Sequence, residues 1–253
     1  MKQATLVIRP IVAAMTLAVA ALALSPVAGA DLTGNINVVS KYVLRGITNG
    51  TGYGTENNGS AVQGGFDYSS ASGLYAGYWG SNLSYVGTQN GNIFSGFESD
   101  LYAGYKGKAG AFTFGAGLIK YAYTAVDNSD GTELSLTAGM GNLSLLVDYL
   151  LQDVVWGNKG DTYFNLGYSQ PLPSDFTVAA NAMYYMYKKD GRFITDTSPS
   201  TEEKSAFRGL SLGISHPLGK TGGTMGLTVT GGGKDRFGVY QKYMPVLNFG
   251  MTF

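Results

Sequence analysis

Beyond residue 30 the chain has no run of about 18 apolar residues, the length a membrane-spanning helix needs. Instead, apolar side chains recur at alternate positions through segments of about ten residues. Successive side chains of a strand point to opposite faces, so each segment carries one apolar and one polar face. Twelve segments read this way: 35–47, 61–68, 73–83, 97–105, 111–123, 132–138, 143–151, 162–169, 176–187, 207–216, 224–230 and 243–253. Residues 111–123 set Phe112, Phe114 and Leu118 against Thr113, Gly115 and Gly117, and residues 61–68 set Val62, Phe66 and Tyr68 against Gln63, Gly65 and Asp67.

The connections carry a second pattern. Long gaps (49–60, 84–92, 124–131, 152–161, 188–206, 231–242) alternate with short ones (69–72, 106–110, 139–142, 170–175, 217–223). Short periplasmic turns and long external loops are the habit of outer-membrane barrels. The expected fold is therefore all-β: a transmembrane antiparallel up-and-down β-barrel of about twelve strands (10–14), with both ends of the chain on the periplasmic side. Four of the five prolines beyond residue 30 fall in connections; Pro245 lies near the start of the last segment, a tolerated position.

Residues 1–30 read as a separate element. Lys2 and Arg9 precede an apolar run over 11–24, and Pro26 precedes the small-residue ending Ala28-Gly29-Ala30. These are the parts of a secretory signal peptide, cleaved to leave 31–253 as the barrel. Losing two cations leaves 15 Lys+Arg (17 − 2) against 17 Asp+Glu, a net charge of −2. The last segment places Tyr243, Leu247, Phe249, Met251 and Phe253 on one face. Phe249, Met251 and the terminal Phe253 are the expected signal to the barrel-assembly machinery.

Composition removes other classes. With no cysteine and one histidine, thiolate and histidine-cluster metal sites are excluded, and the balanced charge argues against nucleic acid. Gly231-Gly232-Gly233-Lys234 lacks the flanking residues of a phosphate-binding loop, and Asp127-Asn128-Ser129-Asp130-Gly131 lacks the ligand spacing of a calcium loop, so no cofactor is expected. His216 precedes Pro217 at a short turn, far from where an outer-leaflet hydrolase would need its Ser–His pair, and the chain is read as no enzyme.

The segment Ser40-Lys41-Tyr42-Val43-Leu44-Arg45-Gly46-Ile47-Thr48 resembles the opening strand motif of the TorF family of porins. Residues 61–68, 73–82 and 97–105 look like that family's next three strands. The resemblance implies an outer-membrane barrel called a porin and carries no site residues.

Charge at mid-strand must face the lumen, because lipid exposure of Lys or Arg at the midplane costs about 2–4 kcal/mol. This selects Lys41, Arg45, Glu98, Asp100 and Asp148 as pore-lining candidates, with Lys41 and Arg45 on one wall and Glu98 and Asp100 on another. Lys120 and Arg208 fall on lipid-facing parity near the external ends. Trp79, Tyr121, Tyr123, Tyr184, Tyr185, Tyr187 and Tyr243, near strand ends, are expected to form the aromatic girdle. The expected partners are outer-membrane lipid and lipopolysaccharide, the assembly machinery and small hydrophilic solutes. Two functions fit: a porin for passive diffusion of small hydrophilic solutes or ions, or a non-conducting barrel that acts through external loops, with its lumen plugged by side chains or by loop 188–206.

Overall fold

A computed structural model describes residues 31–48, 59–89, 92–124, 126–197 and 201–253. The expected signal peptide and most of loop 49–60 lie outside the described residues. Twelve strands close into one antiparallel barrel: β1 (Asp31–Val39), β4 (Ala61–Ser69), β5 (Leu74–Gln89), β6 (Asn92–Ala109), β7 (Phe112–Tyr123), β8 (Gly131–Met140), β9 (Leu143–Leu150), β10 (Thr162–Pro171), β11 (Thr177–Met186), β12 (Ser205–Pro217), β13 (Gly223–Gly232) and β14 (Met244–Thr252). Each strand pairs with its chain neighbours and β1 closes on β14, with Val38 opposite Phe249. Two further strands, β2 (Val43–Leu44) and β3 (Ile47–Thr48), form a separate two-stranded sheet.

The alternation is realised as written. Val62, Phe66, Leu101, Phe112, Phe114, Leu118, Leu166, Leu212, Leu227, Leu247 and Phe249 are all exposed on the outside, at 42–61% of their full surface. An apolar band running around the whole wall is not tolerated in water; it suits lipid, which asks that every backbone group be paired internally, as a closed barrel does. Among the described residues no helix is long and apolar enough to cross a membrane.

Several boundaries differ from expectation, and two departures are large. The first strand stops at Val39, not residue 47. There Ser40 N–H donates to Leu247 O (2.8 Å) and Ser40 Oγ accepts from Leu247 N–H (2.9 Å), which ends the β1–β14 ladder. The chain then turns inward. The expected loop 84–92 is also strand: β5 and β6 run on as a paired ribbon, past a register shift between Asn82 and Val86.

Candidate functional site

The inward turn builds the centre of the lumen. Arg45 and Gly46 both have positive φ (50° and 81°), as a two-residue type I′ hairpin turn requires. The β2–β3 hairpin therefore reverses at Arg45. Gly46 is needed for more than its φ: a Cβ there would stand 2.7 Å from Arg208 O of β12. The hairpin base is apolar, with Tyr42 and Val43 clustered against Val39, Ala61, Trp79, Leu83, Met244 and Val246. Tyr42 and Trp79 rings lie 5.9 Å apart.

The tip is ionic. Arg45 is 7% exposed. Its Nη1 and Nη2 donate to the two carboxylate oxygens of Glu133 (2.8 and 2.6 Å), Nη2 also to Asp148 Oδ2 (2.9 Å), and Nη1 to the Tyr185 hydroxyl (2.7 Å). The guanidinium carbon lies 4.7 Å from the centre of the Tyr163 ring. The hydroxyls of Tyr42 and Tyr123 donate to the two oxygens of Glu98 (both 2.8 Å), and Tyr121 donates to Glu133 (2.8 Å). Asp100, opposite Tyr121 in the β6–β7 ladder, is fully buried, and among the described residues neither carboxylate oxygen has a hydrogen-bond partner.

Of the five candidates chosen for charge, Arg45, Glu98, Asp100 and Asp148 meet inside the barrel, but Arg45 comes from the hairpin and not from the wall. Lys41 lies half-buried on the segment leading to it. Glu98, Asp100 and Tyr163 have no accessible surface. A water-filled lumen at this level would wet them, so the lumen is filled here, by wall side chains together with residues 40–48, a segment that the alternative of a lumen plugged by side chains or by loop 188–206 did not name.

Most of the expected girdle also points inward. Trp79, Tyr121 and Tyr185 are buried, Tyr123 binds Glu98, and the Tyr187 hydroxyl accepts from Arg208 Nη1 (3.0 Å). Tyr184 and Tyr243 are exposed (41% and 56%). Lys120 is exposed, whereas Arg208 is buried against expectation. The cause is a bulge: Met183 pairs with Gly209 and Tyr184 with Phe207, so Arg208 is an extra residue without a β11 partner, and its side chain turns into the lumen. There its Nε donates to Arg45 O (3.2 Å).

Above the hairpin, the long connections form a cap. Arg236 pairs with Asp161 (2.9 Å), both buried, and Asn158 Nδ2 donates to Lys188 O and Ile194 O (both 2.9 Å). Burial pushes the Asp161 carboxyl above its ordinary pKa, and the Arg236 charge opposes that rise. Below the hairpin one side of the wall is polar and uncharged, where Asn165 donates to Asn181 (3.3 Å) and Asn181 to Ser211 (3.0 Å), and another side carries Asp67, which accepts from the Tyr102 hydroxyl and from Asn35 Nδ2 (3.3 Å). Asn181, Ser211 and Thr230 line a cavity under Val43, Arg45 and Gly46. Toward the short turns the lumen side turns wetter, as from buried Ser135 to half-buried Thr137. Sequence reasoning missed Glu133, Tyr163, Asp161 and Arg236. Glu133 shares lumen parity with Ser135 and was readable; its partner lies 88 residues away.

His216 sits at a short turn, with Nε2 3.1 Å from Ser174 O and its ring 4.6 Å from that of Phe176. Among the described residues no group of three or more His, Asp or Glu is placed to hold a metal ion.

A family model for bacterial proteins of unknown function (Gcw_chp) matches residues 23–221. That description does not carry the TorF name. No curated protein sequence matches the chain. Among solved structures, the chain is similar to the KdgM porin (8% identity, TM-score 0.53, covering 87% of this chain and 98% of that one). It is also similar to a chain solved in a study of in-meso crystallisation of membrane proteins (13% identity, TM-score 0.50, 88% and 83% covered). At these identities the likeness is one of fold: a closed antiparallel barrel.

Proposed function

The chain belongs to this family of bacterial proteins of unknown function, and on that premise we propose that it is an outer-membrane porin, a diffusion channel for small hydrophilic solutes whose lumen is narrowed by the β2–β3 hairpin. One observation carries the reading: the hairpin is no part of the barrel sheet. It hangs inside a polar wall and is held by side chains, so moving it breaks no barrel ladder. The apolar exterior, the likeness to a porin fold and the signal-peptide pattern support an outer-membrane location. The motif over residues 40–48 supports kinship with the TorF porins. We assign the protein no catalytic role, since His216 contacts a carbonyl and a phenyl ring at the short-turn end.

The filled lumen favours a second reading, a non-conducting barrel that acts through its outer cap. Planar-bilayer recording separates the two. A variant with residues 41–48 replaced by a Gly-Ser linker is expected to conduct far more than the parent chain. A folded deletion variant that passes no current would leave the second reading.

A further inference from the structure

The cradle around Arg45 is a complete guanidinium site, and every part of it except the guanidinium belongs to the wall. Five successive strands supply it: Tyr121 of β7, Glu133 of β8, Asp148 of β9, Tyr163 of β10 and Tyr185 of β11. Glu133 forms a two-point fork with Nη1 and Nη2 (2.8 and 2.6 Å), Asp148 adds a third contact (2.9 Å), and the Tyr163 ring lies 4.7 Å from the guanidinium carbon. A planar cation with paired donors satisfies a fork and a ring together; a spherical ammonium satisfies them poorly. The wall also holds more carboxylate than this guanidinium answers, because Asp100, next to Tyr121 in the ladder, is fully buried with neither oxygen bonded among the described residues.

We propose that this cradle recognises a small solute bearing a guanidinium group, and that Arg45 occupies it as an internal competitor. The proposal rests on the channel reading. An entering guanidinium takes the fork, the hairpin tip is released, and the lumen it leaves presents carboxylates that favour cations. Arg45 sits at positive φ, a conformation costly to an L-residue and held here by the contacts of the tip.

The test uses the full-length protein refolded in detergent and in planar bilayers. Arg45→Ala empties the cradle. Millimolar guanidinium chloride, far below denaturing levels, is expected to raise the melting temperature of R45A and to block its current, each about tenfold more effectively than potassium or tetramethylammonium at equal ionic strength. Glu133→Gln added to R45A is expected to abolish both effects. In the parent chain L-arginine is expected to raise conductance, whereas L-citrulline, similar in shape but uncharged, is not. If R45A does not refold, Arg45→Lys keeps the charge without the fork, and guanidinium should displace it with the same preference. A conducting R45A that treats guanidinium like potassium overturns the site and leaves the channel reading standing. Equal guanidinium effects in R45A and R45A/E133Q also overturn it. Selective stabilisation of R45A by guanidinium, with no current in any variant, supports the site and overturns the channel reading.

Discussion

Replacing Gly46 with alanine should eject the hairpin without touching the barrel. Two costs fall on the docked state. At φ +81° an L-residue pays roughly 1 kcal/mol. The new Cβ stands 2.7 Å from Arg208 O, a backbone atom fixed at the β12 bulge, so one side must shift; overpacking of this kind costs about 1–3 kcal/mol. The sum, about 2–4 kcal/mol, lowers the docked-to-undocked ratio roughly 30- to 700-fold at 1.4 kcal/mol per tenfold. Gly46 lies between β2 and β3, outside the barrel sheet, so the variant should keep the slow gel mobility shift on boiling that marks a folded barrel. The assay is single-channel recording of G46A beside the parent chain, counting the fraction of time each spends conducting. A folded G46A with the parent's conductance would refute the reasoning, because it would mean either that the hairpin tolerates the contact or that its position does not govern the lumen.

Trp79 lies inside, 8% exposed and with its ring tilted against that of Tyr42, so in Trp156→Phe, where it is the remaining tryptophan, brominated lipid chains should leave its emission unquenched; strong quenching would put the ring on the lipid face. Arg236→Ala strands Asp161 in the cap and should cost about 3–5 kcal/mol of cap stability, read by protease resistance of the outer loops. The sign of its pH dependence follows from burial: Asp161 has a raised carboxyl pKa in the folded protein, so its protonated form is favoured there, and the cap is firmest below the ordinary carboxylate range and weakens as pH rises. Removing the Arg236 charge should steepen that loss, and a pH-independent protease resistance in R236A would count against it.

The strand framework was legible because a period of two survives any local noise: β4 and β7 through β14 fall within two residues of the segments read from alternation alone at both ends. The same regularity hid the hairpin. Tyr42 and Leu44 continue the parity of Ile36 and Val38 across the break at Ser40, since a hairpin with an apolar base and an ionic tip alternates like a wall strand. The available signal was the pair Arg45-Gly46 between Val43-Leu44 and Ile47-Thr48, the layout of a two-residue turn. Tyr121 and Tyr123 share parity with Thr113 and Gly115, which already assigns them to the lumen, and Tyr184 and Tyr185, being adjacent, cannot both face lipid. Arg208 was beyond parity, because the bulge at Gly209 that turns it inward depends on pairing with β11. The partners of Arg45 were beyond reach for a similar reason: Glu133 and Asp148 stand 88 and 103 residues away, and only barrel closure brings them together.

A twelve-stranded wall has a backbone radius of about 12 Å at ordinary strand spacing and tilt, too wide for small wall side chains to fill. A permanently solid barrel would answer with large apolar residues from the wall. This one does so only in part: Trp79, Leu146, Tyr163, Met183 and Tyr185 of the wall are buried inside, but Ser81, Ser135, Asn165, Asn181, Ser211 and Thr230 share the inner face, and the rest of the filler comes from outside the sheet. The filler is held in two ways that respond to different things. Its base rests on the apolar cluster of Val39, Trp79, Leu83, Met244 and Val246, a contact that is non-directional and indifferent to ions. Its tip is held by a charged fork that a competing cation weakens directly. Under the proposed guanidinium recognition, a solute that takes the fork would free the tip while the base stays seated, and the hairpin would swing without leaving the barrel. That division of labour is what a reusable constriction requires, and it gives a reason for the Arg45–Glu133 ion pair to be carried by a segment that takes no part in the wall.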